Sequence, residues 1–204
     1  MSNPILEHYR DAHLLVVEKP FGLASQPTRD GAKNLYDLLC KQEKYIGMHH
    51  RLDTPASGLL LFGLVRGVNR QLAAAFREHQ IDRRYQMVVI GNPGPGPGQW
   101  SANLDGKTAT THWRVLKTCP GMSLIEARLE TGRTHQIRRH AAQAGHPIVG
   151  DNRYGGGAAR LWKRLALHAN SLEFTHPITQ KTLRIQCEMP ADLHGLLARF
   201  DPGK

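Results

Sequence analysis

Three stretches of this 204-residue sequence carry side chains whose types and spacing could do chemistry as well as build a core. The first is His49-His50-Arg51-Leu52-Asp53, followed by Pro55, Ser57 and Gly58. A carboxylate beside an arginine, at the lip of an apolar run, is well set to reach a cleft as a nucleophile or as a stabiliser of positive charge. Asp53 reads equally well as a turn former or cap, and spacing alone leaves the two level. The second stretch is Glu130-Thr131-Gly132-Arg133-Thr134-His135-Gln136-Ile137-Arg138-Arg139-His140. Gly132 permits a tight turn, and a helix starting there points its first amides back at the loop, an arrangement that suits anions. Arg138 falls on a face that must pack inward, so it needs a carboxylate partner, and Asp53 is a natural candidate. The third is Arg83-Arg84-Tyr85, in which the tyrosine could stack on a base, exchange a proton or simply fill a strand.

The elements that must position these groups follow from periodicity. His13–Glu18, Gly58–Val65, Tyr85–Ile90, Thr111–Leu116, Ser123–Leu129, Ser171–Thr175 and Thr182–Cys187 read as strands, with Gly58–Val65 apolar enough to be buried on both faces. Helical spacing runs from Asn34, a candidate N-cap, to Tyr45. It returns around Leu72, Ala75, Phe76 and His79, and over Gln136–Ala144 before Gly145 and Pro147. Strands outnumber helices without βαβ alternation, which implies an α+β fold with a largely antiparallel sheet. The Gly91–Gly98 stretch (GNPGPGPG) reads as a surface loop inside one domain spanning residues 1–204, since neither flank is long enough for a comfortable fold of its own.

Composition narrows the partners. Lys and Arg total 27 against 17 Asp and Glu, a net charge of +10 that points to a polyanion. Cys40, Cys119 and Cys187 form no pairing pattern, and the first residues lack an apolar leader, so a cytoplasmic protein is expected. The longest apolar run is too short to span a bilayer, and no membrane partner is expected. His135, His140 and His146 lie five and six residues apart, which does not suit one helix face; with no H-E-x-x-H, C-x-x-C or P-loop, neither a metal nor a nucleotide cofactor is expected. Gly155-Gly156-Gly157 reads as a mobile loop.

Taken together the motifs resemble the RluA-like family of RNA pseudouridine synthases. His50-Arg51-Leu52-Asp53 with Ser57-Gly58-Leu59 is similar to the family's H-R-L-D block, and Phe76–Tyr85 to its F-R-x-x-x-[IV]-x-[KR]-x-Y segment. Thr131–His140 continues through Gly145–Asp151 in the family's T-G-R-T-H-Q-I-R-x-H and G-H-P-I-x-G-D pattern. Leu167-His168-Ala169 with Leu172, Phe174, His176 and Pro177 resembles its last signature, and Val16–Pro20 with Gly22 its first strand and turn.

The resemblance implies a pseudouridine synthase fold with a catalytic cleft across the sheet, and cofactor-free isomerisation of uridine in ribosomal or transfer RNA. It implies Asp53 as the essential aspartate, Tyr85 as the active-site tyrosine and Arg138 as the arginine paired with the aspartate. Arg51 corresponds to a residue that enters the RNA as the base leaves its stack, and Arg133, His135 and Arg139 are expected to contact RNA. Ala56 and Met87 depart from the family pattern near the site and remove no catalytic group. The accessory N-terminal RNA-binding domain of many relatives is expected to be absent, and the protein to act as a monomer. A non-catalytic RNA-binding or folding factor, or a hydrolase using Asp53 and a histidine, are the rival functions at this stage.

Overall fold

A computed structural model describes residues 5–199. Within it the chain divides into two compact units, residues 5–82 with 169–187, and residues 83–168 with 188–199. Element labels follow chain order.

In the first unit, β1 (Leu6–Arg10) and β2 (Leu14–Lys19) form an antiparallel pair. Helix α1 (Leu35–Cys40) and the short β3 (Gly47–Met48) lead to β4 (Ser57–Gly63), and α2 (Asn69–Arg77) follows. Two later strands, β9 (Leu167–Thr175) and β10 (Thr182–Gln186), complete the order β1-β2-β4-β9-β10, with β3 on β4. The apolar run predicted as a doubly buried strand is β4, all seven of whose residues are buried. Its Leu59 and Leu61 join Leu14 and Val16 of β2, Leu72 of α2 and Phe174 of β9 in the core. Burial of each such side chain contributes about 1.5–3 kcal/mol.

Asn34 caps α1 as its type suggests, its side chain accepting from the Asp37 amide at 2.9 Å. The helix is shorter than the spacing predicts and stops at Cys40. After Leu39 the chain runs into Lys41, Gln42, Glu43 and Lys44, which offer no apolar face, and the amides of Gln42 and Glu43 close a turn on the Leu39 carbonyl. Similarly α2 ends before His79, which takes a left-handed φ of 57°.

The second unit is built on a meander of β5 (Asp82–Ile90), β6 (Gly98–Leu104), β7 (Lys107–Cys119) and β8 (Met122–Leu129), hydrogen-bonded in the order β5-β8-β7-β6. All three pairings are antiparallel. Residues 91–97 connect β5 to β6. The β6–β7 hairpin turns on Asp105 and Gly106, both at positive φ, the pair that a two-residue turn of this hand favours. Helix α3 (Gln136–Gln143) packs on β6 and β7, and α4 (Ala191–Arg199) buries Leu193, Leu196 and Leu197. Gly156–Arg160 forms a 3-10 turn where the sequence suggested only a mobile loop.

Ten strands among the described residues give the α+β class and largely antiparallel pairing that the sequence implies. Among the described residues no helix is long and apolar enough to cross a membrane.

Candidate active site

Asp53 sits half-buried on a loop of the first unit that is fastened at successive positions. The Leu61 amide donates to His50 Nε2 at 2.9 Å, and the imidazole stacks on Phe76 with centroids 4.4 Å apart. Leu52 is clamped from both sides by Ser25: its amide donates to Oγ at 3.1 Å, and Oγ donates to its carbonyl at 2.8 Å. The Ala56 amide then closes a turn on the Asp53 carbonyl at 3.0 Å.

Beyond that turn the loop meets Lys19, a lysine with no exposed surface. Its Nζ donates to the carbonyls of Pro20 (2.9 Å), Leu23 (2.8 Å), Thr54 (3.2 Å) and Ala56. A buried ammonium is costly unless its donors are satisfied, and here three N–H groups are shared among four carbonyls. Gly22, at φ 79°, adds an amide bond to the Thr54 carbonyl. Gly58, the second residue of β4, has φ 117°, and a Cβ there would lie 2.2 Å from the Ala169 carbonyl oxygen, so no larger residue fits. Arg51 is exposed between the His50 and Leu52 anchors.

In the second unit Tyr85 lies on β5 opposite Ala127 of β8 and is buried. The loop before α3 is held by the Gln136 side chain. Its Oε1 accepts from the Arg133 amide (3.0 Å) and the Thr131 hydroxyl (2.7 Å), and its Nε2 donates to the Thr110 carbonyl (2.9 Å) and Thr111 Oγ1 (3.1 Å). This side chain does the work of a cap, since His135, the residue before the helix, is left-handed at φ 53° and makes no capping bond.

One turn on, Arg138 is buried and grips Asp151 with Nε and Nη2, each at 2.8 Å. Burial alone would raise the Asp151 carboxyl. The Arg138 fork and the amides of Arg153 and Tyr154 outweigh it and hold the group below its usual range. The guanidinium groups of Arg138 and Arg153 lie 5.2 and 5.5 Å from the Tyr154 ring centre, and the Tyr154 hydroxyl meets His135 Nδ1 at 3.0 Å.

Of the residues singled out by sequence, Arg138 and His135 are therefore brought together on Tyr154. Arg139 pairs at the surface with Asp105 (2.8 Å), and Arg133 Nε is buried without a hydrogen-bond partner among the described residues. The carboxylate on Arg138 Nε and Nη2 is Asp151, which sequence reasoning did not put forward. Its signal was present in Gly150-Asp151, at the end of the G-H-P-I-x-G-D motif. Lys19, Ser25, Gln136 and Tyr154 were missed as well. Lys19-Pro20 had read only as a strand end, because nothing local marks a lysine for complete burial.

Comparisons with known proteins bear on the family and the fold. A family model described as RNA pseudouridylate synthase matches residues 13–143. Ribosomal large subunit pseudouridine synthase D of Zymomonas mobilis is 36% identical, the match covering 91% of this chain and 69% of that one. Dual-specificity RNA pseudouridine synthase RluA of Haemophilus influenzae is also 36% identical, over 89% of this chain and 94% of the relative. Among solved structures, Human RNA Pseudouridylate Synthase Domain Containing 4 shares the fold with a TM-score of 0.80 at 22% identity, over 95% of this chain and 92% of that chain.

Proposed function

Because the chain belongs to the RNA pseudouridylate synthase family, we propose that it isomerises uridine in structured ribosomal or transfer RNA, with Asp53 as catalytic carboxylate and no cofactor. The observation that carries the choice of Asp53 is the fastening of its loop by His50, Ser25 and Lys19. A carboxylate that must meet one sugar or base gains most from such fixing, since an ångström of misplacement can cost on the order of a hundredfold in rate.

In the reaction the C1′–N1 bond of uridine breaks, the uracil turns and a C1′–C5 bond forms. The hydrogen on C5 leaves to solvent and N1 gains a proton, so substrate and product are isomers and no redox partner enters. Asp53 acts ionised, on the ribose or on the ring. Arg138, locked by Asp151, supplies fixed positive charge. Tyr85 stacks on the extruded uracil and takes part in proton transfer. Arg51 enters the RNA as the base leaves. Arg133, His135 and Arg139 contact phosphates, Arg139 exchanging a surface ion pair worth about 0–1 kcal/mol.

A relative named for the large ribosomal subunit supports ribosomal RNA as a substrate, and one named for dual specificity supports more than one kind of RNA target. Three cysteines in the free state, Cys40, Cys119 and Cys187, support action in the reducing cytoplasm.

The test uses transcribed ribosomal and transfer RNA carrying tritium at C5 of uridine. Wild-type protein is expected to release tritium and Asp53→Asn to release none while still binding. Release by Asp53→Asn at the wild-type rate would remove Asp53 from the chemistry. No release from any pool by wild type would overturn the activity.

A further inference from the structure

The first unit contains a cleft of about 440 Å³ that the proposed chemistry does not use. Its walls include the rings of Tyr36 and Tyr45, with Gln26, His49 and Asn69 as polar lining. The polar groups form a fixed set. The Asn69 amide donates from Nδ2 to the Tyr45 hydroxyl, and its Oδ1 meets His49 Nε2 at 3.2 Å. Asn69 is itself wedged against β3, where a Cβ at Gly47 would fall 2.3 Å from Oδ1.

Burial lowers the His49 pKa against the weaker upward pull of Asn69, so the imidazole is neutral at pH 7. With Nε2–H donated to Asn69, its Nδ1 is left as an acceptor, and Tyr45, having accepted from Asn69, keeps its own O–H to donate. Two aromatic walls with one donor and one acceptor suit the face and edge of a nucleobase. The volume is that of a small-ligand site. Arg66, exposed, lies 5.1 Å from the ring centre of Tyr45, a wall residue of the cleft, and offers a cation to a phosphate there.

The cleft is also tied to the catalytic loop. His49 lies four residues before Asp53, at most about 14 Å along the chain. Gln26 follows Ser25, whose hydroxyl clamps Leu52 next to Asp53. A group held in the cleft is thus held relative to Asp53 by covalent chain and two hydrogen bonds.

We propose that the cleft between Tyr36, Tyr45 and His49 binds a nucleobase of the substrate RNA that flanks the target uridine, and so sets which uridine reaches Asp53. This rests on the synthase reading for its substrate. Its test does not need turnover, so failure of one is separable from failure of the other.

The probe is a fluorescein-labelled oligouridine of about ten nucleotides, within the site sizes of single-strand binders, and an abasic oligomer of equal length. Gln26→Trp, at an exposed position, fills the cleft without touching the Asn69 set. It is expected to weaken oligouridine binding about tenfold, the worth of one stacked base, and to leave the weaker abasic binding unchanged. Oligouridine bound as by wild type, or an equal loss on both oligomers, would overturn the site. A second measurement, independent of variant folding, is photocrosslinking of a 5-iodouridine oligomer to wild-type protein. Adducts on Tyr36 or Tyr45 are expected, and adducts confined to other segments would overturn the proposal.

Discussion

Arg138 and Asp151 hold each other through two parallel hydrogen bonds, Nε to Oδ2 and Nη2 to Oδ1, both at 2.8 Å and both withdrawn from water. The carboxylate also accepts the amides of Arg153 and Tyr154, so one buried group fixes a guanidinium and the turn that carries an aromatic ring. A planar fork of this kind is a device for orientation, and lysine cannot reproduce it.

Breaking the pair should therefore cost stability and positioning together. Asp151→Asn removes the charge of a carboxylate that holds a buried guanidinium by two hydrogen bonds and should destabilise the protein by about 3–5 kcal/mol, read as a lower denaturant midpoint. Arg138→Lys should fall in the same range and fail to restore activity. A variant of either residue with wild-type stability would show that the pair carries no structural load.

Lys19 makes a second case. Lys19→Met removes the donor from four carbonyls, and each buried acceptor left without a partner costs about 1–3 kcal/mol. The larger effect should fall on kcat, because the freed segment is the one that follows Asp53. A drop on the order of a hundredfold is expected, with RNA affinity kept. If tritium release by the folded variant matched wild type, Lys19 would have no positioning role.

These two residues also mark where sequence reading stopped. Strands β2, β4, β5 and β7 to β10, the N-cap at Asn34 and the buried run of β4 were legible because each rests on local type and period, whereas β1 and the two-residue β3 were not predicted. Strand β6 was missed although Trp100, Ala102 and Leu104 alternate with polar residues, because it emerges directly from a Gly/Pro stretch that reads as a loop. Asp151 as a carboxylate on Arg138 was missed for a different reason. That arginine's need for a carboxylate is local, but which carboxylate answers depends on how residues 145–151 return to α3, which no pattern in the helix encodes. Gln136 as a loop clamp and Lys19 as a buried staple are likewise long-range: their partners lie up to 26 and 37 residues away.

Acid should loosen the first unit through Asp11. Burial pushes this carboxyl upward, but the amides of His13 and Leu14, with Tyr9 and His176, outweigh it and hold it at about 2. A folded pKa below the unfolded value of about 3.9 means that the unfolded chain takes up protons first. The stabilisation is complete above about pH 4 and is lost as pH falls through 2. Asp151 and Asp192, also held low, add to the same window. Asp11→Asn should therefore be less stable than wild type at pH 6 and show a flatter decline between pH 4 and 2. Parallel declines in the two proteins would assign the acid transition elsewhere.

Tyr85 allows the two functions given to it to be separated by one atom. The ring is buried on β5 opposite Ala127, where it contributes packing whether or not it carries a hydroxyl. Tyr85→Phe keeps the stacking face and removes only the group that can exchange a proton. If proton transfer is its part in the reaction, the variant should bind RNA with wild-type affinity and lose about 10²–10⁴-fold in kcat, the usual contribution of a positioned acid or base. Stacking alone predicts the opposite pattern, with kcat kept in Tyr85→Phe and both affinity and rate lost in Tyr85→Ala. Single-turnover tritium release at saturating protein, paired with equilibrium binding, reads the two quantities apart. A Phe variant that isomerises uridine at the wild-type rate would confine Tyr85 to holding the base.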